Sequence, residues 1–285
     1  MSTVSTERKT ERNQSLQSLE RGMAVIQVFS RERPALTLSE VARLTDMTRA
    51  TARRILLTLE KLGHVRSDGR LFSLTPRVLT LGWAYLSSLN LWEVAQPAME
   101  DLVGQTGESC SAATLDLPEI VYVARVPTGR IMAISLGVGA RLPAHCTSMG
   151  RVLLADLPAE ELDSFLADTQ LERYTKHTIT SSERLRAEVD KVRRQGWSFV
   201  DQELEIGLRS IAAPIRGSDG RTIAALNTSA AAQRVSTEQF LGRFLPSLLK
   251  TTEAISANVR RAYWGRLENL PDGPSSGRGR VFIGA

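Results

Sequence analysis

Near the start of the chain, apolar residues recur at the spacing of two short helices joined by a turn. The first helix opens at Thr37-Leu38-Ser39-Glu40, a capping box in which a threonine side chain and a glutamate three residues later satisfy free backbone amides. The second helix is capped by Thr48 and ends near Leu62, because Gly63 is a preferred helix stop. Its predicted buried stripe comprises Ala52, Ile55, Leu56, Leu59 and Leu62. The pattern therefore predicts a helix, a turn and a helix.

A short hairpin is predicted after this helix pair. Residues 64–66 and 71–73 flank the dipeptide Asp68-Gly69, and Asp-Gly is a strong hairpin signal. A further helix over 18–29 precedes the pair and carries apolar residues that are expected to pack against it: Leu19, Met23, Val25, Ile26 and Phe29. Three helices followed by a hairpin are typical of a winged helix-turn-helix, which we place at residues 18–75.

The polar residues at the exposed start of the second helix of the pair, and on the hairpin, are candidates for contact with DNA. A helix of this kind fits the major groove, where side chains from its first turns reach base edges. We expect DNA contacts from Thr48, Arg49, Thr51, Arg53, Arg54, Arg66 and Arg70. For Arg54 the expected partner is a phosphate or an internal acidic residue. Arg66 and Arg70 lie on the hairpin and would hold the DNA backbone or the minor groove.

Pro76 suits the first turn of a further helix, which we place at residues 76–90 as a linker. Its broad apolar face comprises Val78, Leu79, Leu81, Tyr85, Leu86 and Leu89, and Trp83 lies on another face. A simple spacer does not need this much apolar surface. We therefore expect the linker helix to pack against a second copy of the chain or against the next domain.

After a helix at about 91–106, the apolar spacing changes to that of strands. Strands are predicted at 109–115, 120–126, 131–138, 199–203, 210–215 and 223–229. Helices are predicted at 147–155, 158–168, 180–194 and 236–263, with capping boxes at Thr180 and Ser236. The order predicts an α+β domain at 91–264. The polar segment 1–17 is expected to be a flexible extension, and the Gly, Pro and Ser-rich segment 265–285 a disordered tail.

The composition is that of a soluble globular protein, with 42% hydrophobic and 24% charged residues in a chain of 285. No apolar run approaches about 18 residues, so no membrane span is expected, and the polar start is not a secretion signal. The two cysteines, Cys110 and Cys146, are too few for a disulfide framework and lack metal-ligand spacing. We therefore expect a cytoplasmic protein that needs no cofactor or metal.

Positive charge is concentrated in the first part of the chain. Residues 1–80 contain 14 Lys and Arg against 8 Asp and Glu, whereas the remainder contains 22 against 23. A solvated basic face would give the same balance. Combined with the helix spacing and the hairpin, the excess favours binding to DNA phosphates.

Four long segments carry a family resemblance: residues 18–29, residues 63–74, residues 145–155 with Cys146-Thr147-Ser148-Met149-Gly150-Arg151, and residues 196–212 with Asp201-Gln202-Glu203-Leu204-Glu205. In these segments the sequence resembles the IclR family of bacterial transcription regulators. It looks closest to the subgroup that controls protocatechuate, 4-hydroxybenzoate and β-ketoadipate catabolism. The resemblance implies a winged helix-turn-helix joined by a linker helix to a GAF-like effector-binding domain. It also implies a homodimer or homotetramer that binds an operator in double-stranded DNA.

The resemblance further implies a pocket for a small organic acid. By resemblance, the pocket is lined by the segment after the third strand, the loop before Gly207 and the last strand. Carried over by position, the residues are Thr147, Ser148, Met149, Gly150, Asp201, Leu208, Ser210, Asn227 and Ser229. Segment 147–150 has the character of a helix start, where free amides favour an anion. An arginine can hold a ligand carboxylate through two hydrogen bonds, and the candidates are Arg125, Arg130, Arg141 and Arg151. We favour Arg151, which lies just beyond the helix start, although a salt bridge is the alternative role for each.

These features favour a ligand-responsive transcription factor that controls genes for the catabolism of aromatic compounds. Whether it activates or represses depends on where the operator lies relative to the promoter. An enzyme that converts a small acid is one alternative, suggested by the adjacent His145 and Cys146. Neighbours in an extended chain point to opposite faces, however, so this pair is poorly placed to react together. A sensor module that does not bind DNA is the other alternative.

Overall fold

The structure is a computed structural model that describes residues 16–89, 91–128 and 137–268. The chain divides between Ser88 and Leu89 into two compact units. Helices and antiparallel strands occur in both units, which confirms the predicted α+β class. None of the described helices is long and apolar enough to cross a membrane.

The first unit contains the predicted winged helix-turn-helix. Its elements are α1 (Gln17–Gln27), β1 (Ala35–Thr37), α2 (Leu38–Leu44), α3 (Arg49–Lys61), β2 (Val65–Ser67) and β3 (Leu71–Leu74). The three strands form an antiparallel sheet in the order β1-β3-β2. Strand β1 was not predicted, because three residues are too few for an alternating pattern and Thr37 also caps α2.

The core of the first unit lies where the three helices meet the sheet. Its buried residues are Val25, Leu36, Val41, Ala42, Ala52, Leu56, Leu59 and Val65. Three predicted core residues are wrong, since Leu19, Met23 and Leu62 are all exposed. Leu62, 53% exposed, is the C-cap of α3 and lies beyond the last core residue of that helix, Leu59. Leu19 and Met23 lie to one side of the face of α1 that carries Val25.

The predicted caps fix the ends of α2 and α3. Thr37 and Glu40 form the reciprocal capping box, and the Thr48 hydroxyl accepts a hydrogen bond from the Thr51 amide. At the far end of α3, Gly63 adopts φ +80°, a left-handed conformation that favours glycine. The amides of Gly63 and His64 donate to the carbonyls of Glu60 and Leu59, the pattern of a Schellman motif.

The linker begins as a single 3₁₀ turn over Pro76–Val78 and continues as α4 (Leu79–Leu89). Large apolar side chains are exposed on more than one side of α4. Leu79 and Trp83 are 73% and 62% exposed, and they lie four residues apart on one face. Leu81 and Tyr85, also exposed, share another face.

The second unit is built on a six-stranded antiparallel sheet in the order β6-β5-β4-β9-β8-β7. The strands are β4 (Ser109–Asp116), β5 (Glu119–Val126), β6 (Arg141–Pro143), β7 (Ser198–Asp201), β8 (Leu208–Arg216) and β9 (Thr222–Ala231). The helices are α5 (Leu91–Thr106), α6 (Ser148–Leu154), α7 (Ala159–Asp168), α8 (Ser182–Gln195), the short α9 (Thr237–Gln239) and α10 (Leu245–Glu268), with a π-helical turn at Phe240–Phe244.

Helices cover both faces of this sheet. Helices α5 and α10 pack against each other and against the sheet, while α6 contacts strands β4, β5, β7, β8 and β9 and carries α8 on its outer side. The apolar core between α6, α7, α8 and the sheet includes Ile120, Met149, Leu154, Leu162 and Leu185. Every residue of α6 is buried, so its side chains are fixed by packing on all sides.

Several predicted boundaries in the second unit need correction. Most of the strand predicted at 131–138, residues 131–136, lies outside the described residues, and β6 was not predicted. Helix α8 is capped by Ser181 in place of Thr180, since the Ser181 hydroxyl accepts from the Arg184 amide. The last helix reaches Glu268, so residues 265–268 are helical, contrary to the predicted start of the tail. Residues 1–15 and 269–285 also lie outside the described residues.

Candidate functional site

The start of α3 presents a polar, basic surface. The Thr48 and Thr51 hydroxyls lie 2.9 Å apart, and Thr48 also accepts the Thr51 amide at 3.2 Å. Capping therefore fixes both threonines at the first turn of the helix. The side chains of Arg49, Arg53 and Arg54 are exposed on α3.

The hairpin adds two exposed arginines to the basic surface. The Asp68 carboxylate accepts the amides of Arg70 at 2.9 Å and Leu71 at 2.7 Å, and these hydrogen bonds lower the pKa of Asp68. Arg70 is thereby held at the tip of the hairpin. On the adjoining strand, the Arg66 Nε donates to the Ser73 hydroxyl at 3.1 Å.

Within residues 16–89, 91–128 and 137–268, none of the five predicted DNA-contacting arginines forms an ion pair. The internal acidic partner considered for Arg54 is therefore not found among these residues. An exposed guanidinium group without a carboxylate partner has its full positive charge available to bind a DNA phosphate. This surface remains the predicted DNA interface.

The second unit contains a cavity of about 360 Å³ beside the sheet face that carries α6. Its walls come from the start of α6, from the loop between β7 and β8, and from strands β4, β5, β8 and β9. The lining comprises Glu108, Ser109, Ser111, Tyr122, Arg125, Thr128, Leu142, Cys146, Thr147, Ser148, Met149, Leu204, Glu205, Ile206, Gly207, Leu208, Ser210, Asn227, Ser229, Ala230, Ala231 and Arg234.

The floor of the cavity is made by polar side chains in neighbouring rows of the sheet. In one row, Ser111 on β4 is paired with Arg125 on β5 and with Asn227 on β9. The next row joins three serines across β4, β9 and β8: Ser109, Ser229 and Ser210. A sheet face covered by a helix is ordinarily apolar. A polar floor in this position is therefore suited to a ligand that carries polar groups.

Two polar side chains of the cavity differ in how they are satisfied. The Asn227 amide donates to the Ser229 hydroxyl at 3.1 Å and accepts the Ser111 backbone amide at 3.2 Å, so its orientation is fixed. The Ser148 hydroxyl, in contrast, is buried at 1% exposure and has no hydrogen-bond partner among the described residues. A buried hydroxyl without a partner is costly, so a ligand oxygen at this position would satisfy it.

The charged groups of the cavity are both basic and acidic. Arg125 lies on the floor, and Arg234 forms a two-pronged ion pair with Glu108, one contact of which, Nη2 to Oε2, is 2.8 Å long. The carboxylate of this pair is buried, while the arginine is partly exposed. A guanidinium can hold a carboxylate through two parallel hydrogen bonds, so Arg125 has the chemistry to receive an organic acid, whereas the two prongs of Arg234 are engaged by Glu108.

Most of the predicted effector residues line this cavity, and three do not. Thr147, Ser148, Met149, Leu208, Ser210, Asn227 and Ser229 are among its lining residues, whereas Gly150, Arg151 and Asp201 are not. Gly150 faces Ala144, and an added Cβ would overlap the Ala144 carbonyl. Asp201 forms an ion pair with Arg209 at 2.7 Å.

Arg151 is buried and forms an ion pair with Glu203, with Nη2 and Oε2 2.6 Å apart. This contact takes the place of the ligand carboxylate that was predicted for it. Of the other arginine candidates, Arg125 lines the cavity, whereas Arg141 is engaged by Asp116 and Glu119 at the surface. Arg130 lies outside the described residues.

Sequence reasoning did not assign to the cavity Glu108, Ser109, Ser111, Tyr122, Thr128, Leu142, Cys146, Leu204, Glu205, Ile206, Gly207, Ala230, Ala231 or Arg234. A signal existed for two of them, because Ser109 and Ser111 alternate with Cys110 and Ala112 along a strand. No local pattern marks Arg234, since its partner lies 126 residues away.

The adjacent His145 and Cys146 do not form a reactive pair. Burial raises the pKa of the Cys146 thiol to about 12, and the nearby Glu203 carboxylate adds to the rise. The thiol is therefore protonated at neutral pH, and a thiolate is the form that acts as a nucleophile. The His145 ring lies 3.0 Å from the Glu172 carbonyl through Nε2, and burial lowers its pKa. His145 does not line the cavity.

Two family models match the chain. The model described as the IclR helix-turn-helix domain matches residues 18–69, and the model of the bacterial transcriptional regulator IclR C-terminal matches residues 83–257. These two matches correspond to the basic helix-turn-helix surface and to the unit that holds the cavity.

Individual relatives are also transcriptional regulators or members of this family. The chain is 48% identical to the Pca regulon regulatory protein of Pseudomonas putida over 233 residues, which cover 81% of this chain and 80% of that protein. A crystal structure of a transcriptional regulator from Rhodococcus sp. RHA1 shares 52% identity, covers 87% of this chain and 100% of its own, and superposes with a TM-score of 0.79. An IclR homologue from Microbacterium hydrocarbonoxydans, in complex with 4-hydroxybenzoate, shares 26% identity with a TM-score of 0.77 and covers 86% and 100% of the two chains.

Proposed function

The chain belongs to the IclR family of bacterial transcriptional regulators, and from this premise we propose that it controls genes of aromatic-acid catabolism in response to a small organic acid. As a member of this family it is a DNA-binding regulator and not an enzyme. The relative that regulates the Pca regulon supports the protocatechuate branch of catabolism as the target.

The polar-floored cavity is the observation that carries the effector proposal. Its volume of about 360 Å³ lies at the low end of the roughly 300–1,000 Å³ typical of small-molecule sites, so it suits a single small acid. Apolar walls such as Met149, Leu142 and Leu208 would contact a ring. The Ser148 hydroxyl and the polar floor would form hydrogen bonds with the oxygens of the acid, and Arg125 would bind its carboxylate. A related regulator binds 4-hydroxybenzoate, which has this combination of groups.

The DNA proposal assigns the operator to the surface formed by α3 and the hairpin. Thr48, Arg49, Thr51 and Arg53 would contact bases and adjacent phosphates, because they lie at the exposed start of α3. Arg54, Arg66 and Arg70 would contact the phosphate backbone or the minor groove. The proposed partner is bacterial operator DNA, so the proposed location of the protein is the cytoplasm.

The exposed linker helix supports assembly into at least a dimer. Helix α4 exposes Leu79 and Trp83 on one face and Leu81 and Tyr85 on another. A helix that is apolar on several sides is normally covered, so we propose that a second copy of the chain covers part of α4. A dimer would present two α3 helices to two half-sites of a palindromic operator.

Thermal unfolding of the full chain tests the effector proposal directly. A ligand that binds only the native state raises the unfolding midpoint as its concentration rises above Kd. We expect 4-hydroxybenzoate, protocatechuate or β-ketoadipate to raise the midpoint, and benzene-1,2-diol, which lacks a carboxylate, to do so less. Absence of a shift with all three acids, confirmed by calorimetry, would rule out this class of effector.

A further inference from the structure

A buried ion pair joins two walls of the effector cavity without touching its interior. Arg151, on α6, and Glu203, in the loop after β7, have side chains only 2% and 9% exposed, and their Nη2 and Oε2 atoms are 2.6 Å apart. Arg151 lies one helical turn beyond Ser148, and Glu203 directly precedes Leu204. Glu203 is therefore next to a lining residue and Arg151 lies two residues beyond Met149, while neither partner is itself in the lining.

Further hydrogen bonds anchor both partners. The Arg151 Nε donates to the His145 carbonyl at 3.1 Å, which holds the segment that leads into the helix start. The Glu203 carboxylate also accepts the Ile179 amide at 3.1 Å, and its backbone carbonyl accepts the Thr178 hydroxyl at 2.6 Å. Both charged groups are therefore buried and paired, and removal of one partner would leave the other as an uncompensated buried charge.

The loop that follows Glu203 is closed by hydrogen bonds between its two ends. The Gln202 side chain accepts the Gly207 amide at 2.9 Å, and the Gln202 amide donates to the Leu208 carbonyl at 2.8 Å. Gln202 and Gly207 both adopt positive φ, at +60° and +87°. Among the described residues, the ion pair that joins this segment to α6 is the contact between Glu203 and Arg151.

We propose that Arg151 and Glu203 are positioning residues for the effector, holding residues 204–207 against the start of α6 so that the cavity is formed before the ligand arrives. The inference rests on the proposed function in that this cavity is taken as the effector site. In a preformed site, less conformational entropy is lost when the ligand binds. The ion pair would therefore raise affinity without contacting the ligand.

The two cysteines provide a readout that needs no ligand. Cys146 lines the cavity, whereas Cys110, also buried, lies on β4 outside the lining. The experiment follows alkylation of each thiol by iodoacetamide in the native full-length protein, with the two sites resolved by peptide mass spectrometry. Arg151→Met and Glu203→Gln are each expected to raise the Cys146 rate about tenfold and to leave the Cys110 rate unchanged, because local opening exposes one wall only.

Comparing the two variants distinguishes a change in the pKa of the Cys146 thiol from a change in its exposure. Arg151 lowers the pKa of Cys146 and Glu203 raises it. Their removal would therefore change the thiolate fraction in opposite directions, whereas opening of the loop accelerates labelling in both. The double variant Arg151→Met with Glu203→Gln should be no faster than the faster single variant, because either substitution alone already breaks the ion pair.

A second ion pair of the same unit serves as the matched control. Asp156 lies just after α6, contacts Arg216 at 3.3 Å and accepts the Thr222 amide, and it is not in the cavity lining. Asp156→Asn is expected to leave the ratio of Cys146 to Cys110 labelling unchanged. Equal acceleration of both cysteines in the Arg151 and Glu203 variants, or no acceleration in either, would overturn the positioning role.

Labelling and calorimetry with added effector distinguish failure of the positioning role from failure of the proposed function. In the unmodified protein, 4-hydroxybenzoate or protocatechuate should slow Cys146 labelling, and calorimetry should show about tenfold weaker binding in Arg151→Met and Glu203→Gln. If neither acid slows labelling while the variants still open Cys146 selectively, the proposed effector class fails and the positioning role stands. If both acids bind the variants as tightly as the unmodified protein, the positioning role fails and the effector stands.

Discussion

At the level of single residues, Gly150 shows how tightly the effector unit is packed. It lies in the wholly buried helix α6, and an added Cβ would overlap the carbonyl oxygen of Ala144. Backbone atoms cannot give way as a flexible side chain does. We predict that Gly150→Ala lowers the free energy of unfolding by about 1–3 kcal/mol, the usual range for overpacking. Urea unfolding of the full chain measures this change.

Gly104 is the matched control, because it lies inside α5 with open space around its Cα. Gly104→Ala should be neutral or stabilising by up to about 1 kcal/mol, since alanine favours the helix. Equal stability of the Gly150 and Gly104 variants would show that α6 is not held against Ala144 as described.

The arginines show the limit of sequence reasoning at this scale. Thr147, Ser148 and Met149 were predicted to line the pocket and do line the cavity, whereas the Arg151 side chain pairs with Glu203, 52 residues later. Arg125 and Arg141 occur on neighbouring strands, and only the sheet register shows that one lines the cavity while the other pairs at the surface. Such partners are set by tertiary packing, which local spacing does not encode.

At the level of elements, α3 has the clearest assignment. We predict that Arg49→Ala combined with Arg53→Ala weakens operator binding by about tenfold or more. The salt dependence should also weaken, because the slope falls by about 1 for each phosphate that is no longer neutralised by an arginine. The fold should persist, since both side chains are exposed. Gel-shift titrations at several salt concentrations measure both effects.

A charge-matched control separates local contact from net charge. Arg184→Ala combined with Arg194→Ala removes the same charge from exposed positions on α8 in the second unit. This variant should bind the operator nearly as the unmodified protein does. If the two double variants lose affinity equally, α3 is not the recognition helix.

Helix ends were the best-predicted feature, because a cap is a contact between residues three or four apart. The boxes at Thr37 and Ser236 were confirmed, and the cap of α8 was wrong by one residue because Ser181 competes with Thr180. Strands β1 and β6 were missed, since each has three residues and is defined by its partner strand. Local rules therefore identify the helices of this chain, while its short strands depend on pairing.

The prediction on assembly concerns the exposed apolar faces of helix α4. We predict that Leu81→Glu combined with Trp83→Glu disrupts the dimer, because it places charge on both exposed apolar faces of the helix. Sedimentation equilibrium should show a shift toward monomer. Leu117→Glu changes an exposed leucine of the second unit, and it should leave the dimer intact. Monomers in the unmodified protein would argue against a dimer built on α4.

At the level of the whole molecule, the two units divide the function. The first 80 residues carry the excess of positive charge, and the rest of the chain is close to neutral. The basic surface is therefore attached to a unit whose cavity suits a small acid. A regulator requires that the two be coupled, so that occupancy of the cavity changes the affinity of the first unit for DNA.

The most direct test is operator binding with and without effector. Duplexes selected by the full-length protein from a random pool serve as the operator, and fluorescence anisotropy at fixed salt gives the dissociation constant. Saturating 4-hydroxybenzoate or protocatechuate is predicted to change that constant by roughly 5- to 150-fold, the usual range of allosteric coupling. An acid that binds the cavity but leaves operator affinity unchanged would contradict the account.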